Sequence, residues 1–184
     1  MPEVFTGVLL GIRVIVFDHE QARRLYASGF YGKPLGIPKP RGATFNAPLE
    51  LGLMEAVYLA EKGVLRVVDG ASGRELGVDE LRDYARRVIA RFELLYRVYR
   101  DLRERGYVVR SGLKYGADFA VYERGPGLEH APYLVHVEPS AESIDPLEVV
   151  RAGRLSHSVR KDFILAVVAS GGDVVYLLFS WSKP

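Results

Sequence analysis

YGADFAVYERGPGLEHAPYLVHV, residues 115–137, is the stretch on which the reading of this chain turns. Its runs of β-branched and aromatic residues on either side of Gly125-Pro126-Gly127 predict two strands joined by a loop. Tyr122 closes the first strand and His130 stands just ahead of the second. Two readings are open at this point: a hairpin with ordinary aromatic filling, or a Tyr/His pair set for proton transfer. Taken alone, a strand-end tyrosine is more often packing and a loop histidine more often surface.

Working outward, YVVRSGLKYGADFAVYE (107–123) and APYLVHVEP (131–139) read as strands, and DPLEVVRAGRLSHSVRK (145–161) as a helix begun by Asp145-Pro146. FILAVVAS (163–170) and DVVYLLFSW (173–181) form a last hairpin around Gly171-Gly172. Upstream, residues 79–105 carry the strongest helical period, with Leu81, Ala85, Val88, Phe92, Leu95, Tyr99 and Leu102 at alternating steps of four and three. A single long helix joining two halves is expected there. In the first half, VFTGVLLGIRVIVF (4–17) reads as strand interrupted by glycine, and Asp18 caps a short helix, HEQARRLYASG (19–29), that Gly29 ends. FYGKPLGIPKPRGATFNAP (30–48) is too rich in proline and glycine for regular structure. Pro48 then suits the first turn of a helix through LELGLMEAVYLAEKG (49–63), and VLRVVD (64–69) reads as a strand. The element order predicts an α/β protein: a small N-terminal α/β domain over 1–80 and a C-terminal domain over 81–184.

Composition narrows the chemistry. At 184 residues the chain can bury one substantial core or two small ones. No apolar run approaches the ~20 residues that span a bilayer, and the opening MPEVFTGVLLGIRVIVFD alternates like a strand, so a cytoplasmic protein is expected. With no cysteine, disulfides, thiolate nucleophiles and cysteine-based zinc sites are excluded. The four histidines, at 19, 130, 136 and 157, lack the spacing that puts two ligands on one helix face, so no metal site is expected. His136 alternates with Val135 and Val137, His157 lies inside a helix and His19 opens one, so all three read as structural or surface. Of the basic residues 19 are Arg and 6 are Lys, which suits phosphate recognition and equally a thermophilic surface laced with ion pairs. A net charge of +2 means that any nucleic-acid footprint is local.

RGYVVRSGLKYGADFAVYERGPGLEHAPYLVHV, followed by RLSHSVRKDFILAVV, closely resembles the C-terminal catalytic region of the tRNA-splicing endonucleases of archaea and eukaryotes. The resemblance extends more weakly to LYASGFYGKP and LELGLMEAVYLAEKGVLRV in the first half. It implies a restriction-endonuclease-like mixed sheet flanked by helices for the C-terminal domain. It also implies that Tyr122, His130 and Lys161 are the catalytic set, cutting intron-containing precursor tRNA at bulge-helix-bulge boundaries.

The implied chemistry suits these residue types. RNA carries its own nucleophile, the ribose 2′-hydroxyl beside the scissile phosphate, so neither metal nor cofactor is needed to activate water. What remains is proton traffic and charge stabilisation. In the assignment that the resemblance implies, Tyr122 takes the 2′-hydroxyl proton, His130 protonates the departing 5′-oxygen and Lys161 stabilises the pentacovalent phosphate. The products are a 2′,3′-cyclic phosphate and a 5′-hydroxyl. A phenol with a pKa of ~10 is a poor base at neutral pH, which leaves Tyr122 either a base helped by a nearby lysine or a group that positions the hydroxyl.

The resemblance also implies that Arg154, seven residues before Lys161 and two turns away on a continuing helix, stacks on a bulged base, with Trp181 as the second half of that clamp. The loop KPLGIPKPRG (33–42) offers Lys39 and Arg41 between prolines, either as a solvated linker or as a phosphate-backbone contact. A non-catalytic structural subunit of the same enzyme is the alternative function, and a chain retaining Tyr, His and Lys argues against it. A metal-dependent nuclease of the restriction type needs Glu-x-Lys after its Asp, whereas the segment after Asp118 offers Glu138-Pro139-Ser140. In self-sufficient relatives the last hairpin turn is rich in acids and docks into a basic cleft. Here Ala169–Asp173 holds one carboxylate, so a structural partner subunit in a two-plus-two heterotetramer is expected.

Overall fold

The computed structural model describes residues 3–38, 40, 42–139, 144–159 and 161–180. The chain divides between Phe92 and Glu93 into two compact units, a later point than the change of element order near residue 80.

The first unit is a six-stranded mixed sheet with three helices. β1 (Phe5–Leu10) turns back into β2 (Arg13–Val16) through Gly11-Ile12, and Gly11 takes the positive φ of 55° that this tight reversal needs. Asp18 caps α1 (His19–Ala27) by accepting from Gln21 N at 2.8 Å. A two-residue β3 (Lys33–Pro34) lies within the proline-rich stretch and pairs with β4 (Leu49–Gly52). Here the structure corrects the sequence reading: residues 49–52 are strand, and α2 covers Leu53–Glu61 only. Leu49 and Leu51 alternate into the core, both fully buried, and that period of two outweighs the helical stripe that Leu49 shares with Leu53. Glu55 then accepts from Gly52 N at 3.0 Å and fixes the helix start. After β5 (Leu65–Asp69), parallel to β1, come β6 (Glu75–Leu76) and α3 (Val78–Val88). The order across the sheet is β3-β4-β2-β1-β5-β6.

Residues 79–105 are not one helix. α3 ends in Ile89 with extended dihedrals, Arg91 takes a φ of +60°, and α4 begins afresh at Phe92 and runs to Glu104. The apolar period continues across the break because each helix buries a stripe in its own unit: Leu81 and Ala85 in the first, Tyr96, Tyr99 and Leu102 in the second. Periodicity reports which face is buried. It does not report whether the backbone is continuous between two faces.

The second unit holds α4, β7 (Val108–Ser111), a 3-10 turn (Leu113–Tyr115), β8 (Phe119–Tyr122), β9 (Tyr133–Pro139), α5 (Pro146–Val159), β10 (Asp162–Val168) and β11 (Val174–Phe179). Its sheet runs β11-β10-β9-β8-β7, with β9 and β10 parallel across α5 and every other pair antiparallel. The middle strands are apolar on both faces, with Phe119, Ala120, Val121, Leu134, Val135, Val137, Leu165 and Ala166 all buried. Asp145 starts α5 by accepting from Leu147 N at 2.8 Å, with Pro146 in the first turn. α4 ties down the last hairpin: Arg97 Nη1 donates to Gly172 O at 2.6 Å, and the Tyr176 hydroxyl donates to Asp101 Oδ2 at 2.7 Å. No described helix is long and apolar enough to cross a membrane.

Candidate active site

Strand direction gathers the candidate residues at one end of the second sheet. β8 runs toward that end and β9 away from it, with Val121 opposite Tyr133. β10 is parallel to β9, with Asp162 opposite Tyr133. Val121, Tyr133 and Asp162 therefore form a row, and Tyr122, Pro132 and Lys161 stand one step beyond it. His130 follows two residues further along the same exit from β9.

Tyr122 is half-buried as the last residue of β8. With Tyr115 it packs against a small cluster of Ala117, Ala120, Ala131 and Leu134. Small side chains suit this spot because two phenol rings have to lie over them. The Lys161 ammonium reaches back to donate to the carbonyl of Ala131, the residue after His130, so the starts of β9 and β10 are joined by a side chain as well as by the Asp162 N to Pro132 O bond of 2.9 Å. Lys161 Nζ also lies 5.2 Å from the Tyr115 ring centre, and the exposed Lys114 places its own Nζ 5.1 Å from the same ring.

His130 is exposed at the end of a loop that is closed on itself. Gly125 and Gly127 have φ of 115° and 90°, beyond what other residues adopt comfortably. Leu128 N and Glu129 N both donate to Gly125 O, and Glu129 Oε1 accepts from Arg124 N at 2.6 Å and Gly125 N at 3.4 Å. The Arg124 amide bond above all holds the Glu129 carboxyl below its ordinary range. Beside it, Tyr133 donates to Glu123 Oε1 at 2.7 Å, and this bond, with burial, pushes the Tyr133 phenol up to about 12. Of the tyrosines at this end, Tyr133 is a committed donor and unsuited to act as a base.

Arg154 is exposed on α5. Because α5 stops at Val159 and Lys161 precedes a strand, the two-turn spacing expected between them along one helix face does not apply. Lys39, Arg41 and Trp181 lie outside the described residues. Among the other histidines, His136 leans on the Phe163 ring at 5.4 Å, with Nδ1 3.8 Å from Asp118 Oδ2, and His19 Nδ1 is 2.8 Å from Asn46 Oδ1. Sequence reading passed over Tyr115 and Glu129. Tyr115 sits in a 3-10 turn that no periodicity marks, and the one available signal was its place in YGADF, next to Gly116.

Comparison with known proteins bears on both units. Residues 5–82 match the tRNA intron endonuclease N-terminal domain, and residues 92–176 match the tRNA intron endonuclease catalytic C-terminal domain. A tRNA-splicing endonuclease of Hyperthermus butylicus is 69% identical over 179 residues, spanning 97% of this chain and 98% of that relative. Those of Saccharolobus islandicus and Saccharolobus solfataricus are 48% and 49% identical over 179 residues, each spanning 96% of this chain and 98% of the relative. Both units are thus accounted for along nearly their whole length, and the chain belongs to the tRNA-splicing endonuclease family.

Proposed function

We propose that this chain is the catalytic subunit of a tRNA-intron endonuclease and cuts precursor tRNA at bulge-helix-bulge intron boundaries without a metal ion. The observation that carries the reading is the Lys161 ammonium bound to the carbonyl of Ala131, the residue after His130, with Lys161 and Tyr122 both one step beyond the row of Val121, Tyr133 and Asp162. A phenol, an imidazole and an ammonium on separate elements at one sheet end match the needs of 2′-hydroxyl attack on the adjacent phosphate. Tyr122 removes or orients the 2′-hydroxyl proton. His130, open to solvent, gives a proton to the leaving 5′-oxygen, a task that suits an imidazole with a reference pKa of ~6.5. Lys161 stabilises the phosphorane charge. The bonds made and broken leave a 2′,3′-cyclic phosphate and a 5′-hydroxyl, which is a lyase outcome.

Arg154, exposed on α5, is the candidate base-stacking residue, with Trp181 as its partner in the clamp and Lys39 and Arg41 as backbone contacts. Assembly with a structural subunit of the same family, two copies of each, is favoured by the last hairpin turn. It holds one carboxylate, Asp173, and a single exposed charge makes the turn a weak electrostatic plug. The cytoplasm is the proposed site of action. A non-catalytic structural subunit is the alternative, and the retained Tyr, His and Lys disfavour it.

Cleavage of an intron-containing precursor by the assembled protein in EDTA tests the reading. The wild type is expected to cut, and His130→Ala to slow the bound-state step by roughly 10²–10⁴ with RNA affinity kept. Loss of affinity at an unchanged bound-state rate would remove the acid assignment, and dependence on added metal would remove the mechanism.

A further inference from the structure

A lysine ammonium ends a flexible four-carbon stem, and useful stabilisation of a transient charge requires that it be held before the charge appears. Lys161 has two anchors: the carbonyl of Ala131 and the ring of Tyr115, whose centre is 5.2 Å from Nζ. That distance is within the ~6 Å over which a ring face attracts a cation. The ring is held in turn. Its backbone N–H donates to Gly112 O at 2.7 Å, Gly116 ends the turn with a φ of 67°, and its side chain packs on the alanine cluster that also carries Tyr122. One ring thus touches the lysine on one hand and shares a platform with the candidate base on the other.

We infer that Tyr115 is a positioning residue for RNA cleavage, holding the Lys161 ammonium through its ring face at the point where the phosphorane charge develops. This rests on the function proposed above. The ring face carries the role and the hydroxyl does not, so phenylalanine replaces Tyr115 and leucine, which fills the same apolar space, fails to.

The test is a double-mutant cycle in single-turnover cleavage of an intron-containing precursor tRNA by the complete assembly. Tyr115→Leu is expected to slow the bound-state step about tenfold to hundredfold, as small displacements of reacting groups do. Tyr115→Phe is expected to stay within about threefold of wild type, and RNA affinity to change little in either variant. In a Lys161→Ala background Tyr115→Leu should cost nothing further, because its effect passes through a side chain no longer there. A readout independent of activity is the Lys161 ε-methylene proton resonance, moved upfield by the ring current in wild type and Tyr115→Phe and returned to its ordinary position in Tyr115→Leu. Additive losses in the cycle, a phenylalanine variant as slow as the leucine one, or no ring-current shift in wild type each overturns the inference. Wild-type assembly that leaves the precursor uncut overturns this inference together with the reading beneath it. Cleavage that needs Lys161 but is indifferent to Tyr115→Leu overturns the inference alone.

Discussion

Gly112→Ala isolates the turn that carries Tyr115. Gly112 has a φ of −89°, open to any residue, so the cost of a side chain there is space and not backbone strain. An added Cβ would stand 2.7 Å from Ala117 O, 2.7 Å from Phe119 C and 2.8 Å from Phe119 N. All three are backbone atoms at the closed end of the β7–β8 hairpin, where Gly112 N donates to Asp118 O at 3.0 Å, so no flexible tip can swing aside. Overpacking of this kind costs about 2–3 kcal/mol. For a unit of this size that lowers the melting midpoint by roughly 10–20 °C. Gly171→Ala is the control, since nothing lies within 4 Å of its added Cβ, and it should stay within about 0.5 kcal/mol of wild type. Calorimetry of the purified chain, following the transition of the second unit, reads both. Gly112→Ala melting with the wild type, or Gly171→Ala falling as far, would refute the close-approach argument.

Three further outcomes are expected. Because the folded Glu129 carboxyl is held below its ordinary 4.5, the clamp on Arg124 N is present above pH 4.5 and is lost as pH falls through the folded value. The Arg124 amide resonance should therefore titrate with a midpoint below 4.5 in wild type and stay flat in Glu129→Gln, and a midpoint at or above 4.5 would contradict the assignment. Replacing Lys39 and Arg41 with alanine should weaken RNA binding and flatten its salt slope by about one unit per lost phosphate contact, an unchanged slope returning that loop to a linker. In native mass spectrometry the chain alone should form at most a homodimer with poor cleavage, and a homotetramer that cuts at full rate unaided would end the partner proposal.

How much of this could be read from sequence depended on what kind of signal each element carries. Asp18 with its following helix, Asp145-Pro146 before α5, and the apolar runs of aromatic and β-branched residues in β8 and β9 were legible because capping and strand propensity are local. β4 was misread because Leu49, Leu51 and Leu53 fit a strand and then a helix start, and only the tertiary demand to bury Leu49 and Leu51 decides between them. The break between α3 and α4 was invisible because two cores reward the same apolar period on either side of Arg91. Among the candidate residues, Tyr122, His130 and Lys161 were singled out through the flanking motif, whereas Tyr115 drew notice only once Lys161 was seen above its ring.

The separation of those residues in sequence shows what the topology contributes. Tyr122 and His130 flank one loop, but Lys161 arrives only after β9 and α5 have been traversed. β10 has seven residues and spans about 20 Å. Were it antiparallel to β9, a two- to five-residue turn would suffice to join them, and Lys161 would open at the far end of the sheet, some 20 Å from Ala131. The parallel pairing puts Asp162 opposite Tyr133 and lets the Lys161 ammonium reach the carbonyl of Ala131. That pairing requires a long crossover, and α5 is that crossover. The helix that presents Arg154 is thus also the element that returns the chain to the sheet end where Tyr122 stops.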